Sequence, residues 1–219
     1  MSDRKSVIDS IINNKIILIF RGIPADKVLK TADAAYKGGI RLMEFAFDAQ
    51  GKTEDSYVAG LISLVKEHFG GFVSVGAGTV LEEKQVFTAC DAGADFIISP
   101  VVNEAVIRTT LEKEMVSVPG ALTPTEAMNA HTFGADFVKL FPAGQAGGPA
   151  YMKAICTPLS QIRFLAVAGI EIKDAADYIR AGACGLGISS GILKPELIRK
   201  GDYAGITDIA RKYCNVINN

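Results

Sequence analysis

One lysine and one glutamate stand inside sequence runs that otherwise predict buried β-strands. Lys139 lies in the run 136–142 (DFVKLFP), and Glu44 lies in the run 41–45 (RLMEF). Burying a charged group costs free energy unless the group is paired or loses its charge. A lysine that loses its proton is a nucleophile that attacks carbonyl carbons, and a nearby carboxyl can move protons. The two residues therefore indicate iminium chemistry on a ketone, which weakens a neighbouring carbon–carbon bond.

Two interpretations of the same residues involve no chemistry. Lys139 can extend its ammonium to water while its stem covers apolar surface. Alternatively, Lys139 and Glu44 can form a buried ion pair, although such pairs rarely stabilise a fold more than apolar packing does. The sequence alone leaves these alternatives open.

Short β-rich runs alternate with helical patterns along the whole chain. Strands are predicted over 16–20, 41–45, 72–75, 96–99, 116–118, 137–140, 164–167 and 185–188. Helices are predicted over 25–36, 56–69, 82–92, 104–112, 125–133, 149–157, 173–181 and 203–216, and a polar amphipathic stretch precedes the first strand. Eight such units predict an α/β fold, a (β/α)8 TIM barrel with an extra N-terminal helix, as a single domain of residues 1–219. An open doubly wound sheet is the alternative, but the Gly-x-Gly-x-x-Gly turn typical of it is missing.

The catalytic groups of such barrels lie where the strands end, at their carboxyl termini. Side chains alternate along a strand, so Glu44 shares a face with Leu42, and Lys139 shares one with Phe137. The run 76–79 (GAGT) is predicted to be a turn whose N–H groups face an anion. The runs 168–169 (AG) and 187–190 (GISS) occupy places where many barrels bind phosphate.

Composition excludes several other classes of protein. The 219 residues carry a net charge of −1, which argues against a general nucleic-acid partner. The apolar run 16–20 is too short to span a membrane, and no signal peptide precedes it, so a cytoplasmic protein with no membrane partner is expected. The four cysteines are widely spaced, and the two histidines have no partner at the spacing of metal ligands. We therefore expect no metal and no cofactor.

Five motifs together resemble a known family over nearly the whole chain. In order they are Glu44, the run 76–81 (GAGTVL), the run 98–100 (ISP), the run 118–120 (VPG) and the run 138–143 (VKLFPA). This combination resembles the 2-keto-3-deoxy-6-phosphogluconate (KDPG) and 4-hydroxy-2-oxoglutarate (KHG) aldolases, class I enzymes on a β/α barrel. The resemblance implies a homotrimer that acts on a small keto acid without a metal.

The resemblance also implies a role for each of seven residues. Lys139 would form the Schiff base and Glu44 would act as general acid and base. The implied substrate contacts are a carboxylate site at Thr79 with Arg21 nearby, a pocket wall at Pro100, and a distal phosphate near Gly169 and Ser189.

Three positions depart from the family pattern. Asp48 stands where some members have an arginine that assists carboxylate binding. Ala168 and Ile188 stand where many members have glycine, and their added bulk is expected to crowd a phosphate. These departures bear on the aldehyde half of the substrate and leave the core chemistry intact.

The leading hypothesis is therefore cleavage of a 2-keto-3-deoxy sugar acid, in its 6-phosphorylated form, or of 4-hydroxy-2-oxoglutarate. The products would be pyruvate and an aldehyde, glyceraldehyde 3-phosphate or glyoxylate. A non-catalytic barrel that binds an organic acid, and a phosphate-binding barrel isomerase, are the alternatives.

Overall fold

Parallel strands and helices alternate throughout residues 3–218, the part of the chain that the computed structural model describes. The strands are β1 (Ile16–Phe20), β2 (Leu42–Ala46), β3 (Ser74–Gly78), β4 (Phe96–Ile98), β5 (Val116–Val118), β6 (Gly120–Ala121), β7 (Val138–Leu140), β8 (Phe164–Val167) and β9 (Gly185–Ile188). The helices are α1 (Arg4–Asn14), α2 (Ala25–Lys37), α3 (Asp55–Phe69), α4 (Glu83–Asp91), α5 (Glu104–Glu112), α6 (Pro124–Thr132), α7 (Gly148–Cys156), α8 (Ile172–Arg180), α9 (Pro195–Lys200) and α10 (Tyr203–Asn218), with a 3-10 helix at Gly70–Phe72. None of these helices combines the length and apolar character that crossing a bilayer requires.

The sheet closes into a barrel through a single proline. The strand order is β5-β4-β3-β2-β1-β9-β8-β7-β6, and only Pro119 separates β5 from β6 along the chain. Proline has no N–H to donate to a sheet, but its carbonyl accepts a 2.8 Å hydrogen bond from the Lys139 N–H. β5 and β6 are therefore two halves of one barrel strand. The predicted TIM barrel is confirmed, but the second half of its fifth strand was not predicted.

The barrel interior is an apolar layer built from alternate strand residues. Leu42, Phe96, Val118, Phe137 and Leu165 belong to one buried cluster, whereas their strand neighbours pack in a second cluster with the helices. This alternation confirms the predicted shared faces of β2 and β7. It also directs the side chains of Glu44 and Lys139 into the barrel. Each follows an apolar interior residue, Leu42 or Phe137, by two positions, so it lies nearer the carboxyl end of its strand.

Helix α1 closes the opposite end of the barrel. Val7 and Ile11 are buried in the interior cluster rather than among the outer helices. Arg4 anchors the helix through a 2.6 Å ion pair with Asp136, which also accepts a 2.9 Å hydrogen bond from the Ser117 N–H. The predicted extra N-terminal helix is thus confirmed. It covers this end of the apolar interior and shields it from solvent.

The third strand begins later than predicted. The sequence predicts this strand over 72–75. However, Phe72 ends the 3-10 helix and is exposed, and β3 extends from Ser74 to Gly78. Glycine usually weakens a strand, which is why the run 76–78 did not look like one. Here a side chain at Gly76 would come within 2.2 Å of the Phe96 ring, so the glycine makes room for the interior layer.

Helix α9, which lies between β9 and α10, was not predicted from the sequence.

Replacing Ile11 with alanine is expected to lower the free energy of unfolding by about 2–4 kcal/mol, because the change leaves a cavity in the barrel floor. Ile12 offers a matched control, since it is the same residue type on the same helix but is 36% exposed, against 0% for Ile11. Its alanine variant should stay within about 0.5 kcal/mol of the wild type. Urea denaturation measures both, and equal losses would show that α1 does not seal the barrel.

Candidate active site

Lys139 is a buried amine at the mouth of the barrel. It lies in the centre of β7, between Gly120 of β6 and Leu165 of β8. Its side chain is only 6% exposed, and Nζ lies 4.4 Å from the centre of the Phe141 ring. The aromatic face offers the amine little compensation for the water it has lost. The side chain therefore does not extend to solvent, and the first non-chemical alternative does not hold.

Glu44 is the buried acid of the same layer. It lies on β2 between Ile19 of β1 and Gly76 of β3, and it is 2% exposed. A side chain at Gly78 would come within 1.6 Å of Oε1 of Glu44, so this glycine provides the space that the carboxyl group occupies. Among the described residues, none donates a hydrogen bond to Oε2 of Glu44. A buried carboxylate oxygen without a donor is free to bind a proton or a ligand hydroxyl.

The two groups influence each other without forming a contact ion pair. Within residues 3–218, no carboxylate oxygen lies within 4.0 Å of Nζ of Lys139. Burial lowers the pKa of Lys139, which the Glu44 carboxylate opposes and the Arg21 guanidinium reinforces. Burial raises the pKa of Glu44, which Lys139 and Arg21 both oppose. In each case desolvation is the larger effect. The site therefore combines an amine whose charged form is disfavoured with a carboxyl whose protonated form is favoured, and the two do not form a contact ion pair.

Arg21 and Thr79 meet at the rim. Arg21 follows β1, and its Nη2 donates a 2.9 Å hydrogen bond to Oγ1 of Thr79, which follows β3. Thr79 has a φ of 57°, a conformation that non-glycine residues rarely adopt. The prediction of a glycine turn over 76–79 was wrong, because Gly76 and Gly78 are strand residues. Of this run, only Thr79 lines the cavity.

A cavity of about 1080 Å³ opens above the interior layer. All seven residues singled out from the sequence line it: Arg21, Glu44, Thr79, Pro100, Lys139, Gly169 and Ser189. They come from strands and loops separated by up to 168 positions in the chain, and the barrel alone brings them together. Their placement is thus a fact of the structure, and their individual roles stay predictions.

The loop after β8 forms the far wall of the cavity in a strained conformation. Ala168 has a φ of 75° and Gly169 has a φ of 71°. A side chain at Gly144 would come within 2.8 Å of the Gly169 carbonyl oxygen, so the loops after β7 and β8 pack backbone against backbone. On the neighbouring loop, Oγ of Ser189 donates a 2.9 Å hydrogen bond to the Ile19 carbonyl. Backbone N–H groups and one hydroxyl therefore border this end of the cavity.

One of the three departures from the family pattern, Asp48, has a structural explanation. The Asp48 carboxylate accepts hydrogen bonds from the N–H groups of Gln50, Lys52 and Thr53, which lower its pKa. It organises the loop before α3, and this uses three of the roughly four acceptor positions of the carboxylate. Ile188 is buried next to the outer core and also lines the cavity, as Ala168 does. The expectation that these two residues crowd a phosphate therefore stays a prediction.

Several residues that line the cavity were missed. Phe141 stands two residues after Lys139, and its period-2 spacing from the lysine could have indicated it. Lys194, Lys212 and Tyr213 lie after the last strand, where the sequence carries no motif. Nothing local in the sequence marks Tyr213 as a neighbour of the loop at Ile170, 43 positions earlier.

The histidines and cysteines, which are the other possible metal ligands, are not among the residues that line the cavity. Nε2 of His68 lies 2.8 Å from Oδ1 of Asp33 on the outside of the barrel, and His131 is in the last turn of α6. The four cysteines have free thiols. Over residues 3–218, no three His, Cys, Asp or Glu side chains are grouped as a metal site would need.

Comparison with known proteins identifies relatives of this site and fold. A sequence model described as KDPG and KHG aldolase matches residues 7–209. The 2-dehydro-3-deoxy-phosphogluconate aldolase of Treponema pallidum is 33% identical over 189 residues, which are 85% of each chain. The 2-dehydro-3-deoxy-6-phosphogalactonate aldolase of Escherichia coli is 33% identical over 82% of this chain and 84% of its own. A crystal structure of the Legionella pneumophila KDPG aldolase, with pyruvate captured as a covalent carbinolamine intermediate, superposes with a TM-score of 0.83 at 26% identity, over 93% and 96% of the two chains.

The pKa of Lys139 should move in opposite directions in two variants. Arg21→Leu removes a positive charge that disfavours the ammonium form, so the pKa should rise. Glu44→Gln removes a negative charge that favours it, so the pKa should fall wherever Glu44 is ionised. The pH dependence of Lys139 carbamylation by cyanate, followed by peptide mass, measures both shifts, since only the neutral amine reacts. Arg21→Lys keeps the charge and serves as the control. Shifts of the same sign would refute this account of the site.

Proposed function

Because the chain belongs to the KDPG and KHG aldolase family, we propose that Lys139 attacks the keto carbon of a 2-keto-3-deoxy sugar acid and that Glu44 moves the protons of the cleavage. The chain is a carbon–carbon lyase of this aldolase type. One observation carries the assignment of residues: a buried amine with a lowered pKa shares a cavity with a buried carboxyl whose pKa is raised. Opposite shifts of this kind are typical of acid–base and nucleophile pairs.

The first half of the reaction forms the Schiff base. The neutral amine of Lys139 adds to carbon 2 of the keto acid, and the carbonyl oxygen takes a proton from the Glu44 carboxyl. The nitrogen gives up its extra proton to the Glu44 carboxylate, which returns a proton to the leaving hydroxyl. Water departs and an iminium ion remains. Because burial raises the pKa of Glu44, this carboxyl holds its proton more readily than an exposed one and can pass it to the substrate.

The second half breaks the carbon–carbon bond. The Glu44 carboxylate takes the proton of the hydroxyl on carbon 4, whose oxygen becomes the carbonyl of the departing aldehyde. The electron pair of the bond between carbons 3 and 4 moves to the iminium nitrogen and leaves an enamine. Protonation at carbon 3 regenerates the iminium ion, and water hydrolyses it to pyruvate and free Lys139. The water lost in the first half balances the water used here, so no other reactant is needed.

The charges around the cavity support a substrate with an anion at each end. Arg21 and Thr79 stand at one end, where they are proposed to hold the carboxylate. Gly169 and Ser189 border the other end, and two lysines, Lys194 and Lys212, outnumber the one further carboxylate there, that of Glu171. A 2-keto-3-deoxy-6-phospho sugar acid fits this pattern, and its products would be pyruvate and glyceraldehyde 3-phosphate. The dicarboxylate 4-hydroxy-2-oxoglutarate, which would give pyruvate and glyoxylate, is the shorter candidate, and its second carboxylate is proposed to stop short of the distal loops.

The proposed functional unit is a homotrimer in the cytoplasm. Leu81, Val101 and Leu122 follow neighbouring strands β3, β4 and β6 on the same rim of the barrel, and they are 39%, 47% and 41% exposed. Apolar side chains grouped on a rim are typical of contact surfaces between subunits. Three copies related by a threefold axis would each cover the rim of the next and close the assembly.

Incubation with pyruvate followed by borohydride should add the mass of one reduced pyruvyl group to Lys139, as peptide mass spectrometry can show. Lys139→Met should lose both this adduct and the cleavage activity, because no other lysine is buried within residues 3–218. Glu44→Gln keeps the amine, so it should still be trapped at the end point while cleavage slows by about 10²-fold.

Three other results would each contradict the proposal. An unmodified Lys139 would exclude the Schiff base. Pyruvate binding without cleavage of any keto acid would favour a non-catalytic organic-acid-binding barrel. Full activity after borohydride treatment with substrate would favour a phosphate-binding isomerase.

Val101→Glu should reduce the mass measured by sedimentation velocity from three chains of 23.2 kDa to one. A charge placed in an apolar interface loses its water without gaining a partner, so association weakens. Phe72→Glu is the control, because Phe72 is exposed at the opposite end of the barrel and its replacement should leave the trimer intact. A wild-type mass of one chain would contradict the trimer.

A further inference from the structure

Tyr213 connects the two loops that border the distal end of the cavity. It belongs to α10 and is 3% exposed. Its hydroxyl donates a 3.4 Å hydrogen bond to the carbonyl of Ile170, in the loop after β8. The same hydroxyl lies against Gly191, in the loop after β9, where a side chain would come within 2.6 Å of it. One buried side chain thus contacts both loops from behind.

The loop after β8 requires such support because its conformation is unfavourable. Ala168 and Gly169 both have positive φ, and this costs an alanine on the order of 1 kcal/mol. From the β7 side, the N–H of Ala143 donates to the carbonyl of Val167, and the N–H of Gly144 donates to the carbonyl of Ala168. Strained conformations persist only where the surroundings fix them. Tyr213 supplies the contact from the other side.

The tyrosine is suited to this role because its hydroxyl keeps its proton. Burial raises the pKa of Tyr213, and the carboxylates of Glu171 and Asp174 raise it further. The cations on the same side of the cavity are Lys194 and Lys212. Among the described residues, no hydrogen bond or ion pair joins Tyr213 to Lys139 or Glu44, so its influence is confined to the distal end.

We propose that Tyr213 is a positioning residue that holds the loop after β8 against the loop after β9 and thereby sets the affinity for the distal phosphate of the substrate. The proposal rests on the function proposed above and adds a residue outside the chemical steps. Loss of the hydroxyl should weaken the binding of a substrate that reaches these loops. It should leave the events at Lys139 unchanged.

The test is a comparison of Tyr213→Phe with the wild type on two substrates of different length. For a 6-phosphorylated 2-keto-3-deoxy sugar acid, KM should rise about 3- to 10-fold while kcat stays within about twofold, as expected for one lost hydrogen bond in binding. For 4-hydroxy-2-oxoglutarate, which ends two carbons beyond the bond that breaks and carries no phosphate, KM should be unchanged. The rate of borohydride trapping with pyruvate should also be unchanged.

Gly191→Ala provides a second approach to the same contact. The new methyl group would push against the Tyr213 hydroxyl, so KM for the phosphorylated substrate should again rise. In the double variant Gly191→Ala with Tyr213→Phe, the missing oxygen leaves room for the methyl group. Its KM should therefore fall below that of Gly191→Ala alone, a non-additive result that general loosening does not produce.

Tyr178→Phe is the matched control, because Tyr178 is a buried tyrosine on α8 that does not line the cavity. Its KM values should equal those of the wild type. Equal changes of KM for both substrates in Tyr213→Phe, or an additive double variant, would overturn the positioning role while leaving the aldolase assignment in place. Failure of the wild type itself to trap pyruvate or to cleave the phosphorylated acid would instead refute the proposed function, and this inference with it.

Discussion

The dry interior of the barrel is the condition on which the rest of the site depends. An amine becomes a nucleophile near neutral pH only when its charged form is disfavoured, and burial of Lys139 is the largest influence on its pKa. That burial needs an apolar layer beneath the lysine, which Phe137 and Leu165 help to form. It also needs a closed floor, which α1 supplies. The structure far from the cavity is therefore part of the chemistry at its mouth.

Missing side chains are as important to this interior as the residues that fill it. Gly76 leaves room for the Phe96 ring and Gly78 leaves room for the Glu44 carboxyl. A larger residue at Gly78 would overlap the carboxyl itself, so a strand that looks weak by its composition is required by the position of the acid. The cost of two glycines in one strand is offset by its pairing with β2 on one side and β4 on the other.

The sequence predicted those parts of the fold that depend on local pattern. Strand and helix alternation fixed the barrel, and period-2 alternation placed Glu44 and Lys139 on the inner face. Errors arose where a residue serves a distant neighbour. The glycines of β3 make room for Phe96 and Glu44, which lie on the two neighbouring strands. Tyr213 serves a loop 43 positions away. No rule of local propensity contains such information.

The contrast between strands and loops also separates the residues that break the bond from those that select the substrate. Lys139 and Glu44 lie inside strands, where ladder hydrogen bonds on both sides fix the backbone and tolerate little change. The distal end is made by loops whose conformation depends on contacts from β7 and α10. Substitutions at Ala168, Gly191 or Tyr213 can alter the shape of that end without moving the amine, because the strands do not depend on them. A fold arranged in this way can keep one bond-breaking reaction while the aldehyde half of its substrate varies.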